Sequence, residues 1–277
     1  MNIIGLGNAG CQIAKNFEQY GQYKTFCIDT ENKDYKNYVS IKPQTRHEEY
    51  EKNYKRLALA RCKGNTIFIM SGVGDVSGAA LRILDQLKSN KIDIVYIKPD
   101  VTQLSEQQVL KETLCFGVLQ QYTRSALFNS MFIISNVSVE QVLGSVSLKN
   151  YWRDINNVIS STIHMSNVFK HTEPLLTTMS RKRETVRIGT FGVVNSETGK
   201  EKLFYDIQNT RLKNYFYGLS EKTLDEDKNV LSDIRSFVEE NKEDRLDVGF
   251  SIFSTSYEKD YVYSQHFASF IQEETII

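Results

Sequence analysis

Short apolar runs alternate with stretches of helical spacing through the first two thirds of the chain, and this alternation predicts repeated strand–helix units. Each apolar run is typical of a buried strand, and the stretch after it places apolar side chains on one face of a helix. Repeated units of this kind predict an α/β fold with a mostly parallel, doubly wound sheet. Strands are predicted around Ile3 and Ile4, over Lys24–Asp29, and over residues 65–70, 92–97 and 130–135.

The helices predicted between these strands differ in length and in their apolar stripes. Residues 104–121 form a helix with a stripe of Leu110, Leu114 and Val118. Residues 148–169 form a central helix that spans about 30 Å at about 1.5 Å per residue. One of its faces carries Trp152, Ile155, Ile159 and Ile163, and we assign Trp152 to the core. Residues 32–56, which are charged and rich in tyrosine, predict a loop and an exposed helix.

The pattern changes after His171, where two pairs of strands flank a helix. Strands are predicted over residues 186–194, 202–207, 246–253 and 261–263, with an amphipathic helix over residues 229–240. This order favours a smaller α+β second domain. We therefore expect an α/β domain over residues 1–147, a connecting helix over residues 148–171, and a reduced second domain over residues 172–277.

Composition and charge limit the function classes. The chain has 277 residues with 34 basic and 34 acidic side chains, so no overall basic field favours nucleic acid or an anionic membrane. No apolar run is long enough to cross a bilayer, and the chain starts at its first strand, so we expect no targeting segment and a cytoplasmic location. Neither the four cysteines nor the four histidines show metal-ligand spacing. The cysteines are expected to be reduced core residues.

Two glycine-rich turns carry the strongest chemical signal. The first contains Gly5, Gly7 and Gly10, and the second covers residues 71–78. Each turn joins a predicted strand to a predicted helix, an arrangement that directs backbone N–H groups and a helix N-terminus at phosphate. Both turns lie at the carboxyl edge of the predicted sheet, where open α/β sheets bind ligands. A glycine turn also serves simply to pack a helix on a strand, so this alternative stays open for each turn.

The order of these motifs over roughly residues 1–170 resembles that of the tubulin/FtsZ family. Residues 5–12 resemble its first phosphate loop, and residues 71–78 stand where its glycine-rich signature loop stands. Lys98-Pro99 and Ile134-Ser-Asn136 match the ends of the two following strands. Residues 156–159 match the start of the central helix, where the family reads guanine.

The resemblance implies a guanine nucleotide, GTP or GDP with Mg²⁺ as a further candidate, bound by loops at the sheet edge. Gly10 and Gly78 are expected to let the backbone approach the phosphates. The residues that the resemblance assigns to the nucleotide are Gly7, Asn8, Ala9, Gly10, Cys11, Gln12, Gly72, Gly74, Asp75, Val76, Ser77, Gly78, Asn136, Asn156 and Asn157.

Departures from the family pattern bear on affinity and catalysis. The signature loop is short, and Asp75 puts a carboxylate where phosphate is expected, which weakens binding unless a cation bridges the two. Asn157 stands where relatives often have aspartate.

After the central helix, the family's catalytic loop carries paired acids, whereas the only acids among residues 165–186 here are Glu173 and Glu184. We therefore assign no catalytic residue, and enzyme activity is left open. The basic run Arg181-Lys182-Arg183 predicts a solvated loop, with an interface patch as the alternative.

Two hypotheses follow, with a third from another class. The first is a self-assembling, head-to-tail homo-oligomer that binds guanine nucleotide and hydrolyses it little or not at all. The second is a nucleotide-free structural subunit of a larger assembly, such as a phage particle, with other structural proteins as partners. The third, an unrelated dinucleotide-binding oxidoreductase, is disfavoured by the second glycine turn and by the lack of a catalytic His or Tyr arrangement. Neither nucleic acid nor membrane is expected as a partner.

Overall fold

The computed structural model describes residues 1–179, 184–196 and 198–271, so the run Arg181-Lys182-Arg183 lies outside the described residues. The chain forms two compact units, Met1–Ser160 and Ser161–Ile277. The boundary between the units falls inside the central helix. No helix in the described part of the chain combines the length and apolar character that a bilayer crossing requires.

The first unit is built on a parallel sheet, as the alternating pattern predicts. The strand order is β3-β2-β1-β4-β5-β6, and every neighbouring pair is parallel. All positions of β1 and β4 are buried, which requires cover on both faces of the sheet. The strands are β1 (Asn2–Leu6), β2 (Lys24–Asp29), β3 (Tyr38–Ser40), β4 (Thr66–Met70), β5 (Ile92–Lys98) and β6 (Ser130–Ser135).

Helices connect these strands and confirm the predicted strand–helix units. Five lie entirely within the first unit, and the sixth is the central helix, which starts there and continues into the second. They are α1 (Gly7–Asn16), α2 (His47–Lys52), α3 (Ala80–Gln86), α4 (Glu106–Arg124), α5 (Asn136–Leu143) and α6 (Tyr151–His171). Helix α4 begins at a capping box, in which the Ser105 hydroxyl accepts from the Gln108 N–H and the Gln108 side chain accepts from the Ser105 N–H.

The apolar stripe predicted to bury one face of α4 is wrong. Leu110 and Leu114 are each 60% exposed, whereas Phe116 and Leu119 face the core. Glu112 also lies on the buried face, because Lys98 Nζ contacts its carboxylate at 3.1 Å and Tyr96 donates to it at 3.3 Å. A buried acid is tolerated when it is paired in this way. The apolar spacing alone therefore selects the wrong face.

The long central helix is confirmed as α6, but the assignment of Trp152 to its core face is wrong. Ile155, Ile159 and Ile163 are buried, whereas Trp152 is 62% exposed. Side chains on a helix lean toward its N-terminus. In the first turn of α6, Trp152 therefore points past the end of the buried stripe.

After α6, the described residues of the second unit form a mixed sheet with two helices. Its strand order is β8-β12-β10-β11-β7, with β9 paired to β8, and β10 runs parallel to β11. Helix α8 packs Ile234 and Val238 against this sheet. The strands are β7 (Leu176–Thr177), β8 (Ile188–Val194), β9 (Glu201–Leu203), β10 (Leu212–Ser220), β11 (Asp247–Thr255) and β12 (Tyr261–Ala268), and the helices are α7 (Glu221–Glu226) and α8 (Val230–Glu240).

Strand β10 is missed by the sequence analysis, although it lies between two other strands of the second unit. Its polar Lys213 and Asn214 and its Gly218 interrupt the apolar pattern. Pairing with β11 and β12 satisfies its backbone on both sides, and Tyr215, Phe216 and Tyr217 supply buried area. The strand therefore forms because of its pairing with β11 and β12, and its local sequence pattern does not predict it.

Candidate functional site

The two glycine loops and Asn136 lie at the same edge of the first unit's sheet. Gly7 follows β1, Ser71 follows β4 and Asn136 follows β6. Because these strands are parallel, their carboxyl ends share one edge. The sequence prediction that these segments share an edge of the sheet is thus confirmed, and ligand contact by each residue stays a prediction.

The first loop presents an uncapped helix start. Helix α1 begins at Gly7, directly after β1, with no side-chain cap at Leu6 and no acid in its first turn. Asn8 and Ala9 are exposed, and the Cβ position of Gly7, whose φ is +67°, has open space around it among the residues that the structure describes. The free N–H groups and the positive helix end therefore face open space, an arrangement that accepts an anion.

Side chains from the segment after β2 surround this helix start. Lys33 Nζ donates to Asn8 Oδ1 at 3.0 Å, and Gln12 donates to the Tyr35 hydroxyl at 3.2 Å. Lys15 Nζ lies 5.9 Å from the centre of the Tyr35 ring. Burial raises the pKa of Tyr35, so its hydroxyl stays neutral. Lys33, which the sequence analysis missed, adds positive charge beside the open helix end.

The buried residues of the first loop have a packing role. A Cβ at Gly10 would collide with the Ile69 carbonyl oxygen, so only glycine lets α1 approach β4 this closely. Cys11 Sγ lies 3.4 Å from the Gly5 carbonyl oxygen and 3.5 Å from that of Ile28. A hydrogen bond with Cys27 and burial raise the pKa of Cys11. Cys11 is therefore an inert core thiol.

The second loop packs against the rest of the unit on two sides. A Cβ at Gly72 would collide with the Tyr96 hydroxyl, and a Cβ at Gly78 with the His47 carbonyl oxygen. The Ser77 hydroxyl donates to the Gly72 carbonyl at 2.9 Å and lies 3.1 Å from His47 Nε2. Burial, with the nearby charge of Lys111, lowers the pKa of His47. Gly72 and Gly78 are therefore needed for packing on the side of their Cβ positions, and their contact with phosphate stays a prediction.

Asp75 and Lys111 form an ion pair at the exposed side of the second loop. Asp75 starts the short 3₁₀ helix Asp75–Ala79 that leads into α3, and Lys111 comes from α4. The Nζ–Oδ1 distance is 2.5 Å. The carboxylate stands at a helix start, where an anion is stabilised. The Cβ position of Gly74, by contrast, is open as far as the described chain shows, and Val76 is half-buried.

Asparagine side chains of α1 and α6 meet at the C-terminal end of α1. Asn16 donates to Asn157 Oδ1 at 3.1 Å and to Ser160 Oγ at 3.2 Å. Asn156 is half-buried, and the exposed Trp152 stands four residues before it, on the same side of α6. Trp152 was not predicted as a site residue, although its i, i+4 spacing to Asn156 was a signal for it.

Asn136 and Glu173 lie at element ends. Asn136 is the first residue of α5, and the preceding Ser135 caps this helix by accepting from the Ser138 N–H. Glu173 is exposed between α6 and β7, where Leu175 N–H donates to Ile252 O at 2.7 Å and pins the chain to the sheet of the second unit.

Comparison with known proteins gives a match at the level of structure only. No protein-family model matches the sequence, and no curated protein matches it significantly. An empty FtsZ dimer from M. jannaschii superposes with a TM-score of 0.68 and 12% identity over 96% of this chain and 87% of that chain. CetZ2 from Haloferax volcanii, as a GTPγS-bound protofilament, gives 0.69 and 13% over 96% and 92%.

A third match extends this set. A GTPγS-form protofilament of TubZ from Bacillus thuringiensis serovar israelensis gives a TM-score of 0.68 at 12% identity, over 98% of this chain and 87% of that chain. At identities this low, the matches show a shared fold and nothing further. The parallel first unit, the glycine loops at its edge and the long α6 agree with these matches, and we conclude that the chain has the tubulin/FtsZ fold in a divergent, shortened form.

Proposed function

We propose that this protein is a self-assembling member of the tubulin/FtsZ group that binds a guanine nucleotide and hydrolyses it slowly or not at all. The observation that carries the proposal is the uncapped start of α1, with exposed Asn8 and Ala9 and with Lys33 beside it. Free N–H groups, a helix dipole and a lysine favour phosphate together. Two of the matched structures are GTPγS forms and protofilaments.

The residues of α6 are suited to hold a base. Trp152 offers an exposed ring on which a purine can stack, and Asn156 lies one helical turn further on. The Asn157 carboxamide accepts from Asn16 and keeps its own N–H groups to donate to a base edge. Of the predicted residues, Gly7, Asn8, Ala9, Gln12, Asn156 and Asn157 form the core of the proposed site, and Trp152 and Lys33 are added to them.

The second loop contributes less than the family pattern implies. Asp75 already places a negative charge at the helix start, and Lys111 already neutralises that charge. A phosphate group there competes with the carboxylate unless Mg²⁺ bridges the two. We therefore propose that the first loop supplies most of the phosphate affinity.

A pair of substitutions at Ala9 tests the nucleotide site. Ala9 is the third residue of α1 and is exposed, so Ala9→Glu places a carboxylate where it stabilises the helix, by about 0.3–1 kcal/mol. That same charge repels a phosphate at the helix start. We expect A9E to weaken GTPγS binding by at least about tenfold in calorimetry, with thermal stability unchanged or raised.

The matched control is Ala9→Gln, which has the size of glutamate without its charge. We expect A9Q to keep most of the affinity for GTPγS. Equal loss in both variants would assign the effect to bulk, and equal binding by A9E and the wild type would place the nucleotide away from α1.

The Asp75–Lys111 pair favours a second candidate, a nucleotide-free structural subunit of a larger assembly such as a viral particle. Because the Asp75 carboxylate already places a negative charge at the helix start of the second loop, that loop needs no phosphate for stability. Chromatography of the small molecules released from purified, denatured protein separates the two candidates. Guanine nucleotide in near-stoichiometric amount supports the first, and its absence together with no binding of added GTP supports the second.

A further inference from the structure

A cavity of about 950 Å³ lies at the carboxyl end of β3, and we name it the β3 cavity. It is formed by one stretch of chain, from β3 through α2 to the segment that follows. Because β3 is parallel to β2, the cavity opens at the same sheet edge as the glycine loops. Its lining includes no residue of either glycine loop. The cavity is therefore separate from the proposed nucleotide site.

The charged side chains that line the β3 cavity are all basic. They are Lys42, Lys55 and Arg56, each exposed and each without an ion pair to any residue the structure describes. Two of the three acids of α2 have other partners: Glu49 accepts from the Thr45 N–H at 3.1 Å, and Glu51 pairs with Arg82 at 3.5 Å. The cavity thus carries positive charge without an internal counterion.

The hydroxyl of Tyr50, which has no hydrogen-bond partner among the described residues, supplies an independent observation. Tyr50 lines the β3 cavity and is only 5% exposed, yet its hydroxyl makes no hydrogen bond within the described ranges. The other two tyrosines are satisfied, since Tyr38 donates to Asp29 O at 2.9 Å and Tyr54 donates to Gln86 Oε1 at 2.7 Å. The Tyr50 hydroxyl is not among the buried side-chain atoms that lack a partner, so it is accessible and can donate to a ligand in the cavity.

We propose that the β3 cavity binds a small polyanion that bears phosphate or carboxylate groups. Lys42, Lys55 and Arg56 provide the charge, and the Tyr50 hydroxyl donates a hydrogen bond from the cavity wall. The volume lies within the usual range for small-molecule sites. Tyr38 and Tyr54 give the ligand apolar ring surface beside its charged groups.

The test uses tripolyphosphate and citrate as probes in calorimetry with the full chain. It is run on the A9E variant, so that the helix start of α1 does not contribute. We expect tripolyphosphate or citrate to bind, and the tighter of the two identifies the ligand's charged group. The triple variant K42Q/K55Q/R56Q should bind at least about tenfold more weakly, because charge-assisted hydrogen bonds are lost. Tyr50→Phe should weaken binding about threefold without a change in thermal stability.

The control removes equal charge from the opposite edge of the same sheet. Lys24, Lys63 and Lys91 are exposed near the amino ends of β2, β4 and β5. The triple variant K24Q/K63Q/K91Q should keep its affinity within about twofold. Equal losses in both triples, or no binding of either probe by A9E, would overturn the proposal. The nucleotide proposal would survive either result, because it depends on the comparison of A9E with A9Q.

Discussion

Asp75 sets the chemical difference between the two glycine loops. The first loop has an uncapped helix start with a lysine beside it, whereas the second holds a carboxylate paired with Lys111. The identity of Asp75 could be read from the sequence, but its partner could not. Lys111 lies 36 residues further along the chain, and only the packing of α4 brings it to the loop.

Replacement of Asp75 by asparagine tests the role of this pair. Asp75→Asn keeps the shape of the side chain, removes the repulsion and frees Lys111 for a phosphate. We expect the affinity for GTPγS to rise about tenfold in calorimetry. A fall in affinity that appears only with Mg²⁺ would instead make Asp75 part of a metal-bridged site.

The matched control for this prediction is Asp85→Asn. Asp85 also pairs with a lysine, Lys88, at 3.1 Å, but on the exposed surface of α3. Because exposed pairs of this kind contribute little, the affinity of D85N should equal that of the wild type.

At the scale of elements, α1 is held against the sheet by glycine contacts. Gly5 lies against Gly10, and Gly10 lies against the carbonyl of Ile69 in β4. The glycine pattern correctly predicts a strand, a tight turn and a helix. Whether a given glycine serves a ligand or the helix–strand contact depends on atoms distant in sequence, such as the Ile69 carbonyl, and these become visible only in the folded chain.

Two glycine-to-alanine substitutions separate packing from conformational freedom. Gly10→Ala forces α1 away from β4, so we expect a loss of about 1–3 kcal/mol in the free energy of unfolding. Gly117→Ala lies in the interior of α4 with no atom within 4 Å of the new Cβ, so a gain of about 0.5–1 kcal/mol is expected. Denaturant titration measures both changes. Unchanged stability in G10A would contradict the packing role.

At the scale of the whole molecule, the proposed function makes the chain after α6 important for nucleotide turnover. Two matched structures are protofilaments. Glu173 and Glu184 are the only acids among residues 165–186, and they are not spaced as the paired acids of the family's catalytic loop are. A group that orients the attacking water is needed for phosphoryl transfer. We therefore expect that the assemblies implied by the proposed function persist rather than cycle.

Phosphate release at increasing protein concentration tests this inference. We expect release to stay slow at every concentration, since the neighbouring subunit brings no suitable acid. Glu173→Gln should leave the rate unchanged. Turnover that rises steeply with concentration would reveal a working site between subunits and refute the inference.

The local pattern by itself determined the strand–helix units, the parallel sheet, the long α6 and the two glycine turns. Each of these depends on residues close in sequence: an apolar run, a glycine after it and a helical repeat. The resemblance of ordered motifs then led to the tubulin/FtsZ fold, which the structural matches support despite identities of 12–13%.

Tertiary structure alone decided which apolar face is buried, which strands pair and which charges meet. Leu110 and Leu114 stay exposed because Lys98 makes a buried Glu112 tolerable on the opposite face of α4. Strand β10 exists because β11 and β12 pair with it on both sides. The Asp75–Lys111 pair and the β3 cavity likewise depend on contacts between distant segments, whose energies no local pattern encodes.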